Sequence, residues 1–207
     1  MVISIIVAVL VGYMLGNLNG AVCISALMHD DVRSHGSGNA GLTNFIRNYG
    51  AGRASFVIMI DAGKAALACV AGGLLLMPHT SFIQGAVIGG CAVMIGHDFP
   101  ALLGFRGGKG ILSGLFIALT VDWRIGLIIL VVFMTAYLLT KYVSLGSVLA
   151  ATAFAVSFAV LHHDDLPVMI LGIFMGALTV YMHRGNIARL LKGQERKTDL
   201  FSKNKQA

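Results

Sequence analysis

The sequence predicts an all-α integral membrane protein of seven transmembrane helices, a single domain over residues 1–207 with its N-terminus outside and its C-terminus cytoplasmic. Three observations carry that prediction: an apolar composition, a series of membrane-length apolar runs, and a lopsided placement of positive charge. The 207 residues are 57% apolar and 12% charged, with a mean hydropathy of +0.84. Soluble domains average about 45–50% apolar and about 25% charged, so a cytosolic globule, a disordered chain and a secreted disulfide scaffold are all excluded. The 26 glycines, far above the usual ~7%, add that backbones must pack closely or bend around something small.

A spanning helix needs about 20 largely apolar residues. The first run, Val2 to Met28, and the second, Ala54 to Met77, cross unaided, as does the sixth, Val143 to Leu161. The third (Ser81 to Gly96), fifth (Ile125 to Thr140) and seventh (Leu166 to Met182) need flanking residues or local thinning of the bilayer. The fourth, Gly110 to Val121, is short. Its shortness suggests that the Gly-rich stretch before it dips to membrane depth, which is tolerated where backbone is buried in protein or lines a polar cavity.

Charge tests the count independently, because Lys and Arg concentrate on the cytoplasmic side of short loops. With alternating spans, segments 29–53, 97–109, 140–142 and 183–207 share one face and hold all but two of the 15 Lys and Arg, the exceptions being Lys64 and Arg124. The net charge of +6 is then a basic inner face beside anionic headgroups, and nucleic acid is not an expected partner. The first run is read as a retained span, since no basic leader or small-residue cleavage site accompanies it. Cys23, Cys69 and Cys91 lie in spans without C-x-x-C spacing and read as packing residues.

The inner face also gathers the informative polar residues. The first loop reads Gly36-Ser37-Gly38-Asn39-Ala40-Gly41-Leu42-Thr43-Asn44-Phe45-Ile46-Arg47. Its glycines let backbone amides converge into an anion nest, with Ser37, Asn39, Thr43 and Asn44 as neutral donors and Arg47 as a charged fork. An ordinary turn uses the same residue types, but rarely twelve at this density. The second loop runs from Gly96-His97-Asp98 to Phe105-Arg106-Gly107-Gly108-Lys109-Gly110 and leads into the fourth run. Glycines and a lysine ahead of a helix N-terminus suit phosphate. A Walker A loop would need Gly at 103 and Ser or Thr at 110, where Leu103 and Gly110 stand.

Smaller sites lie at or near the same face. Ser144 follows Lys141, and His183-Arg184-Gly185-Asn186 ends the last span. Neither serine at a helix start nor an interfacial histidine means much alone. No carboxylate or cysteine lies at helical ligand spacing from His183, so no metal is expected. Asp61 and Lys64 share a helical face inside the second span, either as a functional pair or as a self-neutralising bridge, and both readings stay open. The residues alone reach a cationic, donor-rich pocket at the membrane surface, fit for one or two phosphates with an acyl chain among the helices.

The stretches G-S-G-N-A-G-L-T-N-F-I-R, G-H-D-F-P-A-L-L-G-F-R-G-G-K-G and H-R-G-N-I-A-R-L-L-K-G-Q-E resemble, in order, the three cytoplasmic motifs of the bacterial acyl-phosphate:glycerol-3-phosphate acyltransferase family. The resemblance covers nearly the whole chain. It implies acyl transfer from acyl phosphate to the 1-hydroxyl of sn-glycerol 3-phosphate, giving lysophosphatidic acid and inorganic phosphate, in the bacterial inner membrane and without a cofactor. Carried over by motif, Ser37, Arg47, Lys109, Ser144, His183 and Asn186 would be catalytic, and Gly38, Asn39, Thr43, Asn44, Gly107 and Gly108 would bind substrate and phosphate. The departures are Leu42 for a small residue, Asn17-Leu18-Asn19 for Ser-Ile-Pro, Gly185 for Glu, and a partial D-x-L-K-G match at Asp61–Ala65.

The implied chemistry needs no protein nucleophile, because an acyl phosphate is a mixed anhydride with its leaving group attached. Holding it beside the hydroxyl accelerates transfer by proximity, and Arg47 and Lys109 would stabilise the departing phosphate. The donor phosphate, Ser37 and His183 compete as proton acceptor. No histidine has Asp five positions later, which disfavours the H-x-x-x-x-D acyltransferases. The labile donor makes transient contact with the soluble enzyme that produces it a further expectation. A lipid-phosphate transporter would need an inverted half, and none is visible; a scaffold would tolerate alanine in the loops.

Overall fold

The computed structural model describes residues 1–198 and contains no strand among them. The first apolar run is two helices, α1 (Val2–Asn17) and α2 (Gly20–Ala26), bent by 43° at residues 18–19. Asn19 causes the restart: its carboxamide oxygen accepts the Val22 amide at 3.0 Å, an N-cap inside the apolar run. A short amphipathic helix, α3 (Leu42–Tyr49), precedes α4 (Ala54–Leu76) and α5 (Phe82–Asp98). Then come α6 (Ile111–Val121), α7 (Trp123–Thr140), α8 (Val143–Leu161), α9 (Leu166–Met182) and α10 (Arg184–Leu191). Single turns of 3-10 helix cover Val32–Ser34 and Ala101–Leu103.

Four helical stretches are long and apolar enough to cross a bilayer, and up to six if each bent pair, α1 with α2 and α9 with α10, counts as one. The fourth expected run, α6, has 11 residues, roughly 16 Å at about 1.5 Å per residue, half of a ~30 Å hydrocarbon core. Asp122 ends α6 and caps α7, accepting the Arg124 amide at 3.0 Å. The chain therefore turns back at once, and α6 packs among α4, α5, α7 and α8.

Glycine makes the bundle tight. A Cβ on Gly16 would lie 2.5 Å from the Val93 carbonyl where α1 meets α5, and one on Gly89 would lie 2.1 Å from the Ala68 carbonyl where α5 meets α4. Met94, Ile117, Ile125, Phe158 and Met175 fill the centre. Leu10, Val131, Leu139, Ile170 and Phe174 face outward, as lipid-facing surfaces require. The three cysteines are free, as packing residues would be.

Candidate active site

One end of the bundle collects the start of α3, the end of α5, the starts of α6 and α8, and the α9–α10 junction. Gly36 and Gly38 take positive φ (60° and 71°), as the nest reading requires. The loop is then held by Asn44, whose amide nitrogen donates to the carbonyls of Val32, His35 and Asn39 at 2.9–3.1 Å while its oxygen accepts the Ser37 amide at 3.0 Å. Asn44 lines the cavity as expected, but its donors are spent on the loop itself. Ser37, Asn39 and Thr43 line the cavity beside the first turn of α3.

The second loop owes its glycines to close approach rather than to a nest. Gly107 and Gly108 do not have positive φ. A Cβ on Gly107 would lie 2.0 Å from the His97 carbonyl, and one on Gly108 2.0 Å from His97 Nε2. The Gly108 amide donates to the His97 carbonyl at 3.0 Å, which fixes the start of Lys109. Gly110 caps α6 at φ 73°.

Ser144 opens α8 with its hydroxyl buried and without a hydrogen-bond partner among the described residues, yet the residue lines the cavity. His183 Nδ1 lies 2.8 Å from the Thr179 carbonyl. A carbonyl only accepts, so Nδ1 carries the proton and Nε2 of the neutral ring is the acceptor. Lys109 Nζ donates to the Asn186 oxygen at 2.5 Å, and the Asn186 nitrogen donates to Glu195 at 3.0 Å. Glu195 also takes Arg189 Nε at 2.8 Å. Arg47 turns its fork toward the chain's end, donating to the Thr198 hydroxyl and to the Arg196 carbonyl.

Two cavities share this wall. The inner one, about 260 Å³, is lined by Ser37, Asn39, Thr43, Asn44, Arg47, Lys109, Ser144, His183 and Asn186 among others. It continues along Leu112, Leu115, Ile129, Leu130, Phe133 and Met134. The outer one, about 690 Å³, is lined by Gly38, Gly107 and Gly108 together with Ser37, Arg47, Lys109 and Asn186. All twelve expected residues thus border one space or both. Asp61, which the sequence leaves open between a functional and a structural role, lies on the inner wall; reasoning from the sequence assigns no role to His97 on that wall or to Glu195 and Arg189 on both. Glu195 stood within the quoted third motif, whereas nothing local marked Thr198.

The first turns of α3, α6 and α8 all border the inner cavity. Helix N-termini present unbonded amides and the positive dipole end, so their convergence suits an anion. The cations repeat the message. Burial, with Arg189 nearby, pulls Lys109 down to about 8, and burial also lowers Arg47. Around Lys109 the charges of Arg47, Arg184 and Arg189 outnumber the one carboxylate of Glu195, an environment that suits an anion.

Fold and site together define a helical protein with membrane-length apolar helices and, at one end, a cationic cavity that runs on between apolar side chains. Residues 6–193 match the profile of the family described as Glycerol-3-phosphate acyltransferase, and the chain belongs to that family. It is 37% identical over 193 residues to the glycerol-3-phosphate acyltransferase of Thermoanaerobacter sp. (strain X514), covering 93% of this chain and 94% of that one. It is 36% identical over 199 residues to that of Clostridioides difficile (strain 630), covering 95% and 96%. It also resembles crystal structures of PlsY (YgiH), an integral membrane glycerol 3-phosphate acyltransferase. The glycerol 3-phosphate form gives a TM-score of 0.84 at 30% identity over 96% of this chain and 100% of that one. The lysophosphatidic acid form gives 0.80 at 30% identity over 95% and 96%.

Proposed function

We propose that this protein transfers a fatty acyl group from acyl phosphate to the 1-hydroxyl of sn-glycerol 3-phosphate, releasing lysophosphatidic acid and inorganic phosphate. The observation that carries this reading is the pair of cavities sharing the cations Arg47, Lys109 and Arg189 together with Asn186, the inner one running on along Leu112, Leu115, Ile129, Leu130, Phe133 and Met134. Two phosphates and one acyl chain need such an arrangement. The acyl phosphate lies in the inner cavity with its chain along Leu112, Leu115 and Phe133, and glycerol 3-phosphate enters through the outer cavity. Gly38, Asn39, Thr43, Gly107 and Gly108 line the phosphate paths, while Asn44 holds the first loop in shape.

The hydroxyl oxygen attacks the acyl carbonyl carbon, the bond from that carbon to the bridging phosphate oxygen breaks, and the hydroxyl proton ends on the released phosphate. His183 Nε2, an acceptor, and the Ser144 hydroxyl, without a hydrogen-bond partner among the described residues, orient the attacking group. Ser37 stands at the rim. Lys109 and Arg47 stabilise charge on the leaving phosphate, and no covalent acyl-enzyme forms. The topology that fits is seven spans in the bacterial inner membrane, α6 being the short one, with the N-terminus outside and the site cytoplasmic. The lysine-and-arginine asymmetry supports that orientation. Transient contact with the soluble producer of acyl phosphate follows from the donor's lability.

Purified protein given palmitoyl phosphate and glycerol 3-phosphate is expected to release phosphate and form lysophosphatidic acid, with palmitoyl coenzyme A a poor donor. Equal rates with the thioester, or no phosphate release, would refute the reading. A second expectation concerns pH. Lys109 is charged below about 8 and neutral above it, so kcat/KM for glycerol 3-phosphate should fall as pH rises through that value. A profile flat from pH 7 to 9 would remove Lys109 as the cation that receives the free substrate.

A further inference from the structure

The break in the first span leaves backbone groups that an unbroken helix would satisfy, and charged side chains from α4 satisfy them. Lys64 Nζ donates to the Leu18 carbonyl and, at 3.4 Å, to the Gly16 carbonyl. It also contacts Asp61 Oδ1 at 2.8 Å and His97 Nδ1 at 2.8 Å. Asp61 Oδ1 accepts the Gly20 amide at 3.2 Å, on the far side of the break. All three side chains are buried. The carboxylate and ammonium therefore do more than neutralise each other: they cap both ends of an interrupted helix.

The capped break touches both phosphate loops. Asn19, within it, donates to the Ala40 carbonyl of the first loop at 2.9 Å. Asn17 accepts the Leu102 amide of the second loop at 3.0 Å. His97, fixed by Lys64, accepts the Gly108 amide on its carbonyl and abuts the Gly108 α-carbon with its ring. Because an ammonium donates and never accepts, the proton of the neutral imidazole is on Nε2. Lys64 thus connects to Ala40 through the break and Asn19, and to Lys109 through His97 and Gly108.

We infer that Lys64, with Asp61 and His97, is a positioning residue that sets the spacing between the two phosphate-binding loops, acting through Asn19–Ala40 on one side and His97–Gly108 on the other. This rests on the reading of Lys109 and the first loop as phosphate ligands. A site held to within about 0.5 Å by its supporting contacts loses binding when they are removed. Loss of Lys64 should consequently appear in the binding of glycerol 3-phosphate and not only in stability.

The test compares full-length Lys64→Met, His97→Leu and His97→Asn in detergent, reading KM for glycerol 3-phosphate, kcat, and the thermal midpoint with and without that substrate. Asparagine places an oxygen where Nδ1 stands and keeps an acceptor for Lys64; leucine does not. Lys64→Met and His97→Leu should raise KM about tenfold or more and lose the substrate-induced thermal shift, while His97→Asn stays within about threefold of the unaltered protein. Wild-type KM in folded Lys64→Met, or equal losses in His97→Asn and His97→Leu, would overturn the inference. If Lys64→Met does not fold, the two His97 variants decide. Failure of the unaltered protein to turn over palmitoyl phosphate would strike the donor assignment alone, since the thermal shift reads the loops without a donor.

Discussion

Lys109→Ala is expected to lower kcat by about 10²–10³, the usual consequence of deleting one preorganised donor to a developing anion. Lys109 borders both cavities, and its ammonium donates to Asn186, which in turn donates to Glu195. Removing the ammonium takes away a cation placed by backbone on both sides, Gly108 before it and the Gly110 cap after it. Asn186 keeps Glu195 as a partner, so the α9–α10 junction should hold. The check is the rate of phosphate release beside the thermal midpoint: activity lost, midpoint close to that of the unaltered protein. Wild-type turnover in a folded Lys109→Ala protein would move the leaving-group contact elsewhere, with Arg47 the next residue to examine.

The expected roles of Arg47 and Lys109 differ in a way that the chain order did not reveal. Lys109 has a single hydrogen-bond partner among the described residues, whereas Arg47 is engaged by Thr198 and the Arg196 carbonyl. The 194–198 segment lies over the arginine, and its Thr198 amide donates to the Lys141 carbonyl at 3.0 Å. Arg47 is held by Arg196 and Thr198 of the last described segment, so its fork is oriented before any phosphate arrives. Orientation of that kind reduces the entropy lost on binding.

The membrane class and the grouping of the three motifs were legible because apolar runs and charge asymmetry are local properties of the chain. The interruption at Asn17-Leu18-Asn19 was visible as two polar residues in an apolar run, but its meaning depended on Lys64 and Ala40, which are remote in sequence. The same holds for Asp61 and Lys64. Their i, i+3 spacing suited a bridge, and the bridge exists at 2.8 Å, yet only the arrival of Leu18, Gly20 and His97 shows what it braces. Asn44 read as a donor because its neighbours are donors. The structure turns its carboxamide inward, where the carbonyls of Val32, His35 and Asn39 converge on its nitrogen. Tertiary convergence of this sort leaves no periodic trace.

Gly107→Ala is expected to cost both stability and nearly all activity. The added Cβ would lie 2.0 Å from the His97 carbonyl, 2.6 Å from Pro100 Cδ and 2.8 Å from the Asp98 carbonyl. Two of these neighbours are backbone and the third is a ring, so none can yield by a rotamer change. The loop must lift from the end of α5, straining the Gly108–His97 hydrogen bond and carrying Lys109 away from Asn186. Overpacking of this type costs typically about 1–3 kcal/mol, and a displacement near 1 Å at a reacting site costs about 10² in rate. Gly63→Ala is the control. A Cβ there meets nothing within 4 Å, and alanine inside a helix is favoured over glycine by roughly 0.5–1 kcal/mol, so activity should be unchanged and the midpoint equal or higher. Wild-type rates in Gly107→Ala would mean that the loop's path is not fixed by its contact with His97.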